Sequence, residues 1–150
     1  MSPETPPPHD QSPEVPRPRG DPQFGVEAQA SAERALARVS DPDQALRLLS
    51  HLYESGAGFA AYLTLPDTDP TAGNIGDRFA ENYLDAWEEF AELRRDVLES
   101  LGWLDAVNKV RTEQGIPADH LRRNHAAVDK QIFDTYDTVH LDGWWHLFYK

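Results

Sequence analysis

The chain has 150 residues, with 26 Asp plus Glu against 14 Lys plus Arg and a formal net charge of −12. That length holds one compact domain or two very small ones, and such acidity excludes a nucleic-acid binder of the ordinary basic kind, because phosphates repel it. Cysteine is absent, which removes disulfide scaffolds, cysteine-based zinc sites and thiol nucleophiles.

Residues 1–24 hold 8 of the 12 prolines. Proline this dense excludes helix and sheet, so a disordered, partly polyproline-like tail is expected, with an SH3-type ligand as the alternative. The start carries no basic-then-apolar leader, and no apolar run of about 18 residues occurs, so a cytoplasmic protein is expected. Residues 27–39 favour a short helix. Ser40-Asp41-Pro42-Asp43 starts a second one, which carries Leu46, Leu49, Leu52 and Tyr53 at helical spacing and closes at Gly56. Phe59 to Leu63 predicts one more short helix, and Pro66 to Gly76 a loop.

The longest helix is expected from Asp77 to Ser100, with Phe79, Tyr83, Trp87, Phe90 and Leu93 forming its apolar stripe and Gly102 ending it. Helices follow over 104–114, after Gly115-Ile116-Pro117, and around Val128, Ile132 and Phe133. The period then changes. Thr135 to Leu141 and Trp144 to Tyr149, separated by Asp142-Gly143, predict a β-hairpin in which Leu141 pairs with Trp144. Val139, Leu141, Trp144, His146 and Phe148 share one face of it. Tyr136, Thr138, His140, Trp145, Leu147 and Tyr149 share the other. Preceding helices are expected to cover one face, and a third strand, a partner or a second copy the other. Tyr136, Trp145 and Tyr149 are the candidate core or dimer contacts. The fold class is therefore α+β, mainly helical, divided into the tail 1–24, an acidic helical domain 25–102 and a small α+β domain 103–150 that ends in the aromatic hairpin.

The charge is local. Residues 41–100 carry 13 acids against 4 bases, a net −9, and residues 101–150 a net −1. On the expected 77–100 helix, Asp77, Glu81, Asp85, Glu88, Glu92, Asp96 and Glu99 recur every three or four residues, with Glu89 beside them as a further candidate. Five of their i,i+4 pairs are like-charged, at a cost of roughly 1–2.5 kcal/mol together. Carboxylates at that spacing on one rigid helix lie about 5–6 Å apart along the axis, comparable to phosphates along a DNA strand. The pattern points to DNA mimicry, with Asp41, Asp43, Glu54, Asp67 and Asp69 adding to the charge; the plainer reading is a solvated helix face.

Catalytic signatures are missing. There is no glycine-rich phosphate loop, no Gly-x-Ser-x-Gly elbow and no His-Glu-x-x-His. His120, His125 and Asp129 form a remote metal option, and Glu88 with Glu89 a carboxylate pair without a pocket. Neither an enzyme nor a cofactor is expected.

Two stretches resemble the ArdA-type antirestriction family: Asp77 to Ala91, with Phe79 followed four residues later by Tyr83, and the run from Val128-Asp129 through Tyr136-Asp137 to His146-Leu147-Phe148. A weaker echo spans Tyr53 to Leu63. The likeness covers residues 41–150 at most. Asp85 stands where the family has a glycine, Glu89 near its serine, and Phe90-Ala91 arrives early. The resemblance implies an elongated, dimeric DNA mimic of mobile genetic elements that occupies the DNA groove of type I restriction–modification enzymes. The competing expectation is an acidic helical interaction module, adaptor-like or antitoxin-like, without mimicry.

Overall fold

The computed structural model describes residues 21–120 and 124–150. The expected proline-rich tail, up to residue 20, lies outside the described residues. The order of elements is α1 Val26–Ala37, α2 Pro42–Ser55, α3 Ala57–Tyr62, α4 Ile75–Asn82, β1 Tyr83–Trp87, α5 Phe90–Ser100, α6 Trp103–Gln114, a 3-10 turn Ala118–His120, α7 His125–Thr135, β2 Tyr136–Leu141 and β3 Trp144–Tyr149. The described fold is α+β and mainly helical.

Local chemistry sets most boundaries. Asp41 caps α2 by accepting from the Asp43 amide at 3.2 Å, with Pro42 opening the first turn. Gly56 closes α2 at φ 61°, a left-handed angle that glycine takes without steric cost. Asn124 accepts from the Ala127 amide at 3.1 Å to start α7. In the hairpin turn Asp142 and Gly143 sit at φ 50° and 82°, the two successive positive values that a type I′ turn demands.

The hairpin forms with Leu141 opposite Trp144, as expected. A third strand joins it, but from an unexpected place: β1 pairs antiparallel with β3, so β3 is central in the order β1-β3-β2. The 77–100 stretch is therefore not one helix but helix, strand and helix. An extended Tyr83–Trp87 supplies backbone partners to the open edge of β3, which a helix cannot do. Its aromatic ends suit a strand. The split also relieves the repulsion, because only Asp77–Glu81 and Glu92–Asp96 still sit four apart within a helix. Glu89 and Glu92 now lie at the positive N-terminal end of α5, where carboxylates are favoured by about 0.3–1 kcal/mol each.

A bulge between Tyr83 and Asp85 shifts the register of β1. It places Tyr83 opposite Phe148 and Trp87 opposite Trp145, so the two large rings lie on opposite faces of the sheet. Both faces are covered by helices. On one, Phe148, Leu141, Val139 and Tyr83 meet α1 to α4 through Ala28, Leu48, Phe59, Tyr62 and Phe79. On the other, Trp87, Leu147, Trp145 and Tyr136 meet α5 and α7 through Leu93, Val97 and Ile132. The three-stranded sheet is thus the middle layer between two helical layers. The expected division at 102/103 passes through this sheet, with β1 before it and β2 and β3 after it. All six residues of α3 are buried, and α3 sits against α1, α2 and the strands.

Candidate functional site

The eight candidate acids fall into different environments. Asp77 and Glu81 are exposed on α4, Glu88 and Glu89 are exposed in the turn after β1, and Glu92 and Glu99 are exposed on α5. The other two are half-buried and structurally engaged. Asp96 accepts from the Trp87 indole N–H at 2.6 Å, which ties α5 to β1. Asp85 lies at the bulge and accepts from the Ala86 amide at 2.8 Å. The single carboxylate rod expected from the sequence is not formed. In its place six exposed carboxylates are distributed over α4, the β1–α5 turn and α5.

Three arginines share this stretch, Arg78, Arg94 and Arg95. Arg94 is committed elsewhere. Its Nε and a terminal nitrogen donate to the two carboxylate oxygens of Asp129 at 2.6 and 2.9 Å, in a forked pair that pins α7 to α5. That hydrogen bond raises the Arg94 pKa further above its ordinary value. Arg94 also lies over the Phe90 ring, 5.8 Å from its centre. With Asp129 engaged in this way, the His120, His125 and Asp129 option loses its carboxylate. Among the described residues no group of three or more His, Cys, Asp or Glu side chains converges on a point.

The aromatic candidates also separate. Trp145 packs edge-on against Phe90, with ring centres 5.0 Å apart, and stacks on His140 at 4.2 Å. Tyr136 is half-buried beside the second core, and Tyr149 is exposed with its ring 6.2 Å from that of Tyr136.

Two polar groups that sequence reasoning passed over do demanding work. The first is Asp142, read from sequence only as a turn former. Its carboxylate accepts from the amides of Gly25, Glu27 and Ala28 at 2.8, 2.9 and 2.9 Å. Glu27 returns a bond, its carboxylate accepting from the Asp142 amide at 2.6 Å. The pattern is a reciprocal helix cap made across the fold, since Gly25 has no side chain to cap α1 itself. A Cβ on Gly25 would lie 2.6 Å from the Asp142 carboxylate, so any larger residue there would push the capping carboxylate out of place. Burial disfavours the charged carboxylate, but the three backbone donors and the nearby His146 outweigh it and hold the Asp142 pKa below the usual value.

The second is His146, fully buried on β3. Its Nδ1 shares a hydrogen bond with the Tyr83 hydroxyl at 3.2 Å, and its Nε2 has no partner among the described residues. Burial pushes its pKa down to about 4, against a favourable pull from Asp142, with His140 adding to the depression. His146 is neutral at pH 7 and sealed from solvent, so it is a core residue.

Two concavities complete the surface. An open cleft of about 270 Å³ lies between α1 and the segment after α3, lined by Arg34, Arg38, Thr64 and Pro66 among others. An apolar groove of about 130 Å³ lies between α5 and α7 at the start of α6, lined by Val97, Leu98, Leu101, Trp103, Val128 and Ile132 among others. No helix among the described residues is long and apolar enough to cross a membrane. No protein-family model, curated protein or solved structure matches this chain.

Proposed function

We propose that this protein is a non-catalytic binding module whose acidic α4–β1–α5 surface engages a cationic partner protein. The supporting observation is the concentration of exposed charge. Six of the eight acids between Asp77 and Glu99 face solvent, and one of the three arginines there is spent on Asp129. A field of this sign steers and holds a basic surface. DNA mimicry of the antirestriction type is the specific form of this reading, in which the partner's basic surface is the groove that holds DNA. It rests on the charge and on the family likeness, and no longer on a straight rod. An adaptor-like or antitoxin-like role is the broader form, in which the basic surface is not a DNA groove.

The test is complex formation with the methyltransferase core of a type I restriction–modification enzyme, across a salt series and with duplex DNA as competitor. A mimic binds at low salt, is displaced by DNA, and weakens steeply as salt rises. Replacing Glu81, Glu88, Glu89 and Glu92 together by glutamine leaves the fold intact and removes the binding. Low-salt binding that DNA does not displace removes mimicry and leaves the broader form. Binding that survives the four substitutions overturns the acidic surface as the site.

A further inference from the structure

Helix α1 carries a pair of cations that the fold leaves unused. Arg34 lies in its last turn and Arg38 just beyond its end, four residues apart and both exposed. Side chains at that spacing share one face, about 5–6 Å apart at Cβ. Among the described residues neither guanidinium has a hydrogen bond or an ion pair, whereas Arg94 is forked onto Asp129. The nearby acids are engaged elsewhere. Glu27 accepts from the Asp142 amide, and Glu33 accepts from the Gln29 side chain at 3.0 Å. Asp69, whose charge reaches Arg38, accepts from the Thr71 amide and hydroxyl at 2.9 and 2.7 Å. In a chain of net charge −12, two neighbouring arginines without a carboxylate partner are unexpected. The C-terminal end of a helix suits a cation, but that does not explain why both line the same cleft.

Both walls of that cleft, about 270 Å³ in volume, are fixed by the fold. One wall is α1, buried on its inner side through Ala28 and Ala32 and tied down by Ser31, whose hydroxyl donates to the Ala60 carbonyl at 2.7 Å. The other is the segment of residues 63–66, in which the amides of Leu63, Thr64 and Leu65 donate back to α3 carbonyls at 3.0, 3.0 and 3.1 Å. Walls held before a ligand arrives reduce the ordering cost of binding. Ala35 and Leu63 are buried and give the cleft an apolar floor. Thr64 adds an oxygen. Its hydroxyl donates to the Ala61 carbonyl at 2.7 Å, so its lone pairs are left to accept from a ligand hydroxyl.

These groups specify a ligand. A phosphate monoester carries close to two negative charges at pH 7 and three terminal oxygens, which two guanidinium forks match; a single carboxylate occupies one fork. The volume lies at the lower end of ordinary ligand sites, about 300 Å³ upward, so the body attached to the phosphate is small. Net charge excludes the larger phosphate carriers. A polynucleotide or an anionic bilayer meets the field of the whole acidic chain, whereas one small dianion meets mainly the two arginines beside it. We infer that the cleft between α1 and residues 63–66 binds a small hydroxylated phosphate monoester of the sugar phosphate class, with Arg34 and Arg38 on the phosphoryl group and Thr64 on a hydroxyl. The acidic α4–β1–α5 surface takes no part, so this inference is independent of the function proposed above.

The test is an NMR titration of the full chain with ribose 5-phosphate, methyl phosphate, inorganic phosphate and ribose, at constant ionic strength. Ribose 5-phosphate gives saturable shifts centred on the Arg34 and Arg38 side chains and the amides of Leu63, Thr64 and Leu65, and ribose gives none. Methyl phosphate binds about fivefold more weakly, a difference of one hydrogen bond. Arg34→Gln combined with Arg38→Gln weakens ribose 5-phosphate by at least about tenfold, with the thermal transition unchanged because both side chains are exposed. Thr64→Val lowers ribose 5-phosphate to the affinity of methyl phosphate and leaves methyl phosphate where it was. Absence of saturation up to about 10 mM overturns the inference. So does binding that survives the double substitution, or inorganic or methyl phosphate held as tightly as ribose 5-phosphate. Association with vesicles containing phosphatidic acid, without binding of the free ester, overturns the choice of a small ligand.

Discussion

The neutral, buried His146 makes the stability of this protein fall with acidity in a defined window. In the unfolded chain the imidazole titrates near its ordinary value of about 6.5. In the folded protein it does so at about 4, because burial penalises the charged ring. Between these values the unfolded state holds one more proton than the folded state. Folding free energy therefore drops by about 1.36 kcal/mol per pH unit as pH falls through the window, and is independent of this group above it. Integrated from pH 7.5 to pH 4.5, the loss is about 2–3 kcal/mol, a large part of the stability of a small domain. Urea unfolding at pH 7.5, 6.5, 5.5 and 4.5 measures it. His146→Gln keeps an acceptor for the Tyr83 hydroxyl but has no titrating ring. Its stability is lower at every pH, and its difference between pH 7.5 and pH 4.5 shrinks by about the same 2–3 kcal/mol. An identical pH slope in the variant refutes the reasoning, as does an NMR titration of folded His146 centred near 6.5.

The remaining predictions concern the polar joints. Asp142→Ala removes the cap of α1 and costs about 1–2 kcal/mol, read as a lower urea midpoint and faster amide exchange at Gly25, Glu27 and Ala28. Because its pKa is lowered, the Asp142 carboxylate stabilises the fold above the ordinary carboxylate range and loses that contribution as pH falls through its depressed value. Its acid step therefore lies below most of the His146 window; Asp142→Asn abolishes that lower step and, by removing the negative charge that favours the protonated His146 ring, moves the His146 titration lower still. Arg94→Ala leaves Asp129 unpaired on α7 and costs about 1–2 kcal/mol, and Arg94→Lys recovers less than half of that because the fork is lost; thermal unfolding checks both. Asp96→Asn weakens the bond from the Trp87 indole and lowers stability by about 1 kcal/mol, whereas Glu88→Gln is neutral within about 0.5 kcal/mol. Comparable losses from these two substitutions would remove the distinction between structural and surface acids.

Much of the fold was legible where the signals are local. The Asp41-Pro42 start of α2, Gly56 at its end and Asp142-Gly143 in the hairpin act within a few residues of themselves, and each sits where it was read. The pairing of Leu141 with Trp144 follows from a two-residue turn, which leaves no freedom of register. The candidate acids were legible as a charge density but not as a geometry. Phe79, Tyr83 and Trp87 recur every four residues, and that spacing predicts a helix face. Tyr83 does stack on Phe79 with ring centres 5.0 Å apart, yet it does so from the first residue of a strand.

The sequence by itself determined the start and stop of α2, the hairpin and the placement of charge, because these depend on backbone angles, caps and counts that neighbouring residues control. Only the tertiary structure decided that Tyr83–Trp87 is a strand, because its hydrogen-bond partner is the edge of β3, about 60 residues further along the chain. The same distance hid the second task of Asp142, which closes a turn locally and caps a helix 115 residues away. No local pattern in the chain announces either contact. Both depend on burial and on unsatisfied backbone groups that meet only once the layers have packed.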